Sequence, residues 1–149
     1  MDSIQFKPIG IIHSPYKDPL DVPRPSGVSD KSKGKIEIFK EYAAGLTDLE
    51  GFSHIQVIFN FHLSKNPSLK AHPPMDNKEH GVFATHSPHR PNSIGLTIVG
   101  LDSVKDNILI ISGIDMVDGT PVLDIKPYIP KDISPEKIRL GWLEELIKN

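Results

Sequence analysis

Apolar and polar side chains alternate along the stretch His54-Ile-Gln-Val-Ile-Phe-Asn-Phe-His62. A period of two is typical of a β-strand with one face in the core. The predicted core face carries Ile55, Val57, Phe59 and Phe61. The opposite face is mostly polar and can line a pocket. It carries His54, Gln56, Ile58, Asn60 and His62.

Short strands separated by glycine and proline are predicted along most of the remaining chain. They span 6–13, 35–39, 82–85, 94–101, 108–114 and 122–125, with Asp106-Asn107 as a hairpin turn. Because the strands follow one another without intervening helices, we expect a mainly β fold: a small, closed or nearly closed barrel with short helical turns.

A C-terminal helix is predicted to begin at Ser134-Pro-Glu, where serine is a favourable N-cap and proline suits the first helical position. Apolar residues then recur at helical spacing. They are Ile138, Trp142, Leu143, Leu146 and Ile147. We expect this apolar stripe to pack on the sheet or on a second subunit.

The composition fits one globular domain, which we expect to span residues 1–149, with 38% hydrophobic and 24% charged side chains. The absence of cysteine excludes disulfides and thiolate chemistry. We find no signal-peptide pattern and no apolar run long enough to cross a bilayer, so we expect a cytoplasmic protein without membrane contact. A formal net charge of −2 lacks the overall basic signature of a nucleic-acid binder, but it permits a local basic face.

The loop within Gly81-Val-Phe-Ala-Thr-His-Ser-Pro-His-Arg-Pro-Asn-Ser-Ile-Gly-Leu96 is crowded with polar side chains and stiffened by two prolines. It presents His86, Ser87, His89, Arg90 and Asn92 from a short span. Five of the seven histidines lie between His62 and His89, which makes this region locally cationic. We therefore expect a functional site for an anionic partner here, the alternative being ordinary solvated loop residues.

Two common kinds of site are not expected. The sequence has neither a dinucleotide-binding glycine fingerprint nor a phosphate-binding P-loop, which makes a Rossmann-type nucleotide site improbable. His86 and His89, with Asp76, Glu79 and His80 nearby, suggest a metal site. However, the surrounding prolines disfavour convergence of three ligands, so we expect no metal.

A second polar group follows in Asp115-Met-Val-Asp-Gly-Thr-Pro-Val-Leu-Asp-Ile-Lys-Pro-Tyr128. If the extended run holds past Pro121, the side chains of Thr120, Asp124, Lys126 and Tyr128 share one face and form a wall for a small molecule. The alternative is an exposed strand face with an Asp124–Lys126 pair that contributes little energy.

Four ordered motifs together resemble the TsaA-like, or TrmO, family of tRNA adenine N6-methyltransferases. They are 81–96, 10–17, 52–62 and 118–128. The resemblance implies a small β-barrel that uses S-adenosylmethionine, forms a homodimer and methylates N6 of threonylcarbamoyladenosine beside the anticodon of certain tRNAs. It also accounts for the missing Rossmann fingerprint.

The resemblance also implies which residues contact the cofactor. They are Ser26, Gly27, Val28, His62, Leu63, His86, Leu96, Asp118, Gly119, Thr120 and Pro121. Two positions depart from the family pattern, which usually has Arg at position 86 and Pro at position 93 where this chain has His86 and Ser93. Because histidine is shorter and only conditionally charged, a contact that a guanidinium would make is altered here.

Methyl transfer requires alignment of donor and acceptor, and the acceptor nitrogen must lose a proton. Asp118, Asp124 and Tyr128 all remain candidates to accept that proton. Arg90 and Lys126 suit a carboxylate or an RNA phosphate, and Asn92 suits an adenine edge. The alternative function is a non-catalytic module of the same fold that binds an adenosyl ligand or docks a partner.

Overall fold

The computed structural model describes residues 1–23 and 32–147. Six antiparallel strands close into a barrel in the order β1-β2-β7-β6-β3-β8. These strands are β1 Gly10–His13, β2 Lys33–Ile38, β3 His54–Asn60, β6 Ile94–Lys105, β7 Ile108–Ser112 and β8 Pro121–Pro127. A separate two-stranded sheet joins β4 Lys70–Ala71 to β5 His80–Gly81. The predicted mainly β barrel is therefore confirmed.

Alternating side chains fill the barrel interior, as the pattern of 54–62 predicts. In β3, Ile55, Val57 and Phe59 are buried. They pack with buried residues from the other five strands, among them Ile12, Ile36, Val99, Ile111 and Val122. Asp106 adopts a φ of 55° at the turn between β6 and β7, which agrees with the predicted hairpin. This apolar core fixes where β3 ends and hence where its terminal polar residues lie.

A β-bulge in β8 separates side chains that the sequence predicts on one polar face. Val122 is opposite Phe59 and Asp124 is opposite Ile58, which leaves Leu123 as an extra residue. Thr120 is buried on the inner side of the barrel, whereas Asp124 and Lys126 lie on its outer side. The prediction that Thr120 shares a face with Asp124, Lys126 and Tyr128 is therefore wrong, because the bulge resets the alternation.

Two predicted elements take a different form. Residues 82–85 do not form a strand, since Val82–Ala84 is a 3-10 turn closed by hydrogen bonds from Thr85 N–H and Oγ1 to the Val82 carbonyl, at 3.1 and 2.8 Å. The predicted helix from Ser134 is broken into 3-10 turns at Pro135–Lys137 and Gly141–Leu143, followed by α1, Glu144–Ile147. Gly141 has a φ of 57°, which an α-helix cannot accommodate.

Trp142 in this C-terminal segment packs on the small sheet instead of forming part of a long helical stripe. Its ring stacks on His80 with centroids 4.2 Å apart, and its Nε1–H donates to the Ala84 carbonyl at 2.9 Å. His80 in turn contacts Asp76 at 2.8 Å. The C-terminal segment is thus attached beside the 3-10 turn that leads into the histidine-rich loop.

Gly95→Ala is expected to lower the free energy of unfolding by about 1–3 kcal/mol through overpacking. A Cβ at this position would lie 2.2 Å from Cζ of Phe59, whose ring is buried. Urea unfolding followed by circular dichroism measures the change. Gly45→Ala is the matched control, because no atom lies within 4 Å of its added Cβ. An equal effect of Gly95→Ala in a Phe59→Leu background would contradict the assigned clash.

Candidate functional site at one end of the barrel

Three neighbouring depressions surround the end of β3. A small cavity of about 220 Å³ and an outer cavity of about 730 Å³ share Phe61, His62 and Ser64. A larger groove of about 910 Å³ shares Pro88 and His89 with the small cavity. The polar end of the β3 stretch and the histidine-rich loop therefore line neighbouring depressions.

The small cavity has mainly apolar walls with polar side chains among them. Phe59 and Phe61 form one wall, their rings packed edge to face with centroids 4.9 Å apart. The remaining lining residues are Pro19, Val22, His62, Leu63, Ser64, Pro88, His89, Asp115, Met116, Val117 and Thr120. Three residues expected at the cofactor, His62, Leu63 and Thr120, are thus brought together here.

Asp115 also lines this cavity, although the sequence pattern assigns it no role. Its Oδ2 accepts a hydrogen bond from Thr97 Oγ1 at 3.1 Å, and its Oδ1 is buried without a well-formed hydrogen bond to any described residue. Burial raises the pKa of the Asp115 carboxyl, against the opposing effects of Thr97 and of its own backbone N–H. The sequence signal for this position is an aspartate directly between two apolar residues, Ile114 and Met116, both of which are buried in the structure.

The loop of 85–92 is held by its own side chains. Arg90 Nη1 donates to the carbonyls of Thr85 and Ser87, at 3.0 and 3.2 Å. Ser64 Oγ lies 2.7 Å from His89 Nδ1, which connects the loop to the segment after β3. Ser87 Oγ accepts from the His89 N–H at 3.3 Å. Arg90 therefore shapes the loop beside the small cavity, a role different from the direct ligand contact that its charge suggests.

The larger groove combines one lysine and three histidines with mostly apolar surface. Its cations and titratable bases are Lys70, His72, His86 and His89, and its lining, all within the described ranges, includes no aspartate or glutamate. Phe83, which is 78% exposed, and Met75 add apolar surface. Part of the locally cationic stretch predicted from the sequence thus lies in this groove, with His72 3.7 Å from Glu79.

The turn before β8 is fixed to the segment after β1. Asp118 Oδ1 accepts from the Ser14 N–H at 2.9 Å, and its Oδ2 accepts from Lys17 Nζ at 2.6 Å. The Lys17 and Ser14 hydrogen bonds hold the pKa of the Asp118 carboxyl below its usual range, outweighing the effect of burial. Gly119, at a φ of 83°, donates its N–H to the Ile12 carbonyl. Asp118 is therefore a structural clamp and a weak base.

Asp118→Asn is expected to destabilise the protein by about 1 kcal/mol at neutral pH, because the amide loses the bond to Lys17 and weakens that to Ser14. Since the folded-state pKa is lowered, this stabilisation is present above the ordinary carboxyl pKa and is lost as pH falls from there through the folded-state pKa. Thermal unfolding from pH 7 to pH 3 should show the two proteins converging. Asp106→Asn, at an exposed turn, is the control and should not change the melting temperature; a constant gap for Asp118→Asn would contradict the clamp.

Several other predicted site residues lie away from the small cavity. Lys126 is opposite Gln56, and the Tyr128 N–H bonds to the His54 carbonyl, so β8 carries both towards the other end of β3. Asp124 and Lys126 form an exposed pair at 2.9 Å. Leu96 is 59% exposed on the outer face of β6. Asn92 and Pro121 line the outer cavity. Ser26, Gly27 and Val28 lie outside the described residues.

Comparisons with known proteins define the family. Residues 11–132 match the model of the tRNA-methyltransferase O N-terminal domain. The chain therefore belongs to the TrmO family, and the resemblance carried by the four sequence motifs is confirmed.

Similar proteins align with most of this chain. A probable S-adenosyl-L-methionine-binding protein of Pyrococcus abyssi is 49% identical over 95% of this chain and 77% of its own length. The tRNA (adenine(37)-N6)-methyltransferase of Escherichia coli K12 is 41% identical over 87% of this chain and 60% of its own length. A crystal structure of TrmO from Pseudomonas aeruginosa aligns with a TM-score of 0.77 at 34% identity, covering 95% of this chain and 63% of that one. This chain thus spans about three fifths of the last two proteins.

The described ranges contain neither a membrane-spanning helix nor a metal-binding cluster. Across 1–23 and 32–147, no helix has the length and apolar character that a membrane span requires. Within the same ranges, no three His, Asp or Glu side chains are grouped so that they could hold a metal ion.

Proposed function

We propose that this protein is an S-adenosylmethionine-dependent methyltransferase that acts on adenine N6 in tRNA. The observation that carries the proposal is the small cavity lined by His62, Leu63 and Thr120, which shares His89 with a groove that carries lysine and histidine, in a chain of the TrmO family. The cavity offers apolar walls with a few polar groups, the usual character of a small-molecule site. The groove offers lysine and histidine to an anionic RNA.

The residues around the small cavity fit part of an adenosyl ligand. When bound, S-adenosylmethionine supplies an electrophilic methyl group, and the sulfur–methyl bond breaks as the bond to adenine N6 forms. Phe59 and Phe61 exclude water from one side of the cavity, and Arg90 holds the adjoining loop. The main contribution of the protein is alignment of the two reactants.

The proton of N6 must leave in the same reaction. Asp118 is bound to Lys17 and Ser14. Asp124 lies on the outer side of the barrel opposite Ile58, where it pairs with Lys126, and Tyr128 lies towards the other end of β3. We therefore assign none of these three as the base and propose that the proton leaves to water through the open groove. A further consequence is that Lys126 takes no part in the chemical step.

Transfer of a labelled methyl group from S-adenosylmethionine to tRNA tests this function. The purified protein should label tRNA from cells that lack the gene and leave fully modified tRNA unlabelled. Binding of S-adenosylhomocysteine by calorimetry without any transfer would instead support the binding-module alternative. Absence of both binding and transfer would refute the proposal.

The finer proposal is that the acceptor is threonylcarbamoyladenosine beside the anticodon. Mass spectrometry of nucleosides from tRNA of cells with and without the gene should show the loss of the methylated form. As a control, tRNA made without the threonylcarbamoyl group should not be labelled in vitro. Equal labelling of both tRNA preparations would restrict the function to a less selective adenine N6-methyltransferase.

We further propose a homodimer that forms through the outer face of β6, where Ile94, Leu96 and Ile98 are all exposed in one row. An apolar row of this kind is typical of a surface that a partner covers. Light scattering at micromolar concentration should give twice the mass of the chain, and Leu96→Lys should shift it to the monomer. Ile129→Lys, an exposed site beyond the end of β8, is the control and should remain dimeric. A monomeric wild-type protein would contradict the proposal.

A further inference from the structure

Phe83 is an exposed aromatic residue on a fixed turn that lines the larger groove. It is 78% exposed, so packing in the core does not account for its ring. The backbone on both sides of it is held by hydrogen bonds. The Val82 N–H donates to the Leu69 carbonyl at 2.9 Å, and the Ala84 carbonyl accepts from Trp142 Nε1–H at 2.9 Å. The turn therefore presents the ring to the groove from a rigid backbone.

The groove around Phe83 adds further apolar surface and a permanent positive charge. Met75, which is 57% exposed, is a second apolar side chain in its lining. Lys70 supplies the charge and forms no ion pair with any described residue. Lys70 pairs with Gly81 across the small sheet, two residues before Phe83. The cation and the aromatic ring therefore lie at the same end of that sheet.

An unpaired nucleotide has the two chemical features that this groove can bind. Its base has a flat aromatic face, which stacks on aromatic side chains when proteins recognise single strands. Its phosphate carries the negative charge that a lysine attracts. In a duplex the base faces are covered by neighbouring bases, so Phe83 could reach such a face only in a loop or at an end.

We propose that the larger groove binds an unpaired nucleotide of the tRNA anticodon loop, with its base stacked on Phe83 and its phosphate at Lys70. This assignment rests on the proposed function, which supplies the tRNA. The groove shares Pro88 and His89 with the small cavity, so the stacked nucleotide is a neighbour of the acceptor adenosine. Phe83 is thus a positioning residue for the RNA and takes no part in the chemical step.

Fluorescence anisotropy with a labelled anticodon stem–loop RNA that carries threonylcarbamoyladenosine tests the stack. Phe83→Ala is expected to weaken RNA binding about tenfold, the usual effect of losing one base–aromatic stack. Phe83→Trp should keep the affinity, whereas Phe83→Leu, which retains apolar bulk without a ring, should bind almost as weakly as Phe83→Ala. The melting temperature and the affinity for S-adenosylhomocysteine should be unchanged in all three variants, because Phe83 is exposed and does not line the small cavity.

The salt dependence of Lys70→Ala tests the phosphate contact. Loss of one phosphate contact should reduce the slope of log affinity against log salt concentration by about one. Lys105→Ala is the matched control, because Lys105 is an exposed lysine at the far end of β6 from the loop of 85–92. It should leave both the slope and the affinity unchanged. An unchanged slope for Lys70→Ala would overturn the phosphate contact.

Stem–loops with a single abasic nucleotide identify the stacked base. At the loop position whose base stacks on Phe83, the losses from the abasic RNA and from Phe83→Ala should not add, because both changes remove the same contact. Additive losses at every loop position would overturn the stack.

The outcomes distinguish this assignment from the proposed function. Wild-type affinity for the RNA in Phe83→Ala or in Phe83→Leu would overturn the stack and leave the proposed function intact. Failure of the wild-type protein to bind both the RNA and S-adenosylhomocysteine would overturn both. Light scattering that shows half the wild-type mass for Phe83→Ala would assign the ring to a contact between two copies of the chain and would overturn the RNA site.

Discussion

Arg90→Ala is expected to slow methyl transfer to tRNA by tenfold or more while the barrel stays folded. The guanidinium donates to the Thr85 and Ser87 carbonyls and so closes the loop that borders both the small cavity and the groove. Hydrogen bonds from a charged group contribute roughly 1.5–3 kcal/mol each. Since about 1.4 kcal/mol corresponds to tenfold in rate, loss of one such bond in the aligned state is enough for this effect. Initial rates of labelled methyl incorporation measure it.

Two controls separate loop geometry from net charge. Lys126→Ala removes an exposed cation that pairs with Asp124, and it should leave the rate within twofold. Arg90→Lys keeps the charge but loses the planar donor group, so it should recover little of the activity. A wild-type rate for Arg90→Ala would exclude this loop from the proposed function. Full recovery in Arg90→Lys would show that charge, not the pair of carbonyl contacts, is what matters.

Phe59→Ala is expected to reduce the free energy of unfolding by about 3–5 kcal/mol, the usual cost of truncating a buried phenylalanine. The ring is only 5% exposed, packs edge to face on Phe61 and lies against Gly95. Truncation would also join the space of the ring to the adjoining cavity. Urea unfolding followed by far-ultraviolet circular dichroism measures the loss.

Phe59→Leu provides the comparison, because it keeps an apolar group of similar bulk and should cost less than about 1.5 kcal/mol. The two variants together separate the apolar core contribution from the aromatic contact with Phe61. A loss below about 1 kcal/mol for Phe59→Ala would mean that the neighbouring side chains collapse into the space, contrary to the tight packing of the ring against Gly95.

The histidine-rich loop shows how far local sequence can locate a site. Pro88, Pro91 and the polar residues between them predict a rigid functional loop, and the structure places that loop at the meeting of a cavity and a groove. The role of Arg90 was not accessible in this way. Its partners are carbonyl groups, which every residue carries, so no pattern of side chains identifies them. The role of Asp118 was also not predictable from local sequence, because its partners Ser14 and Lys17 are about a hundred residues away in the chain.

The sequence by itself determined the barrel class, the hairpin at Asp106 and the core face of 54–60, because alternation and turn chemistry act between near neighbours. Family membership also followed from the sequence, through four motifs. Only the tertiary structure decided that the bulge at Leu123 turns Thr120 inwards and Asp124 outwards, since pairing with β3 sets that register. It likewise decided that Asp115 lines the small cavity with its Oδ1 buried, because the burial of a polar atom depends on strands that are distant in sequence.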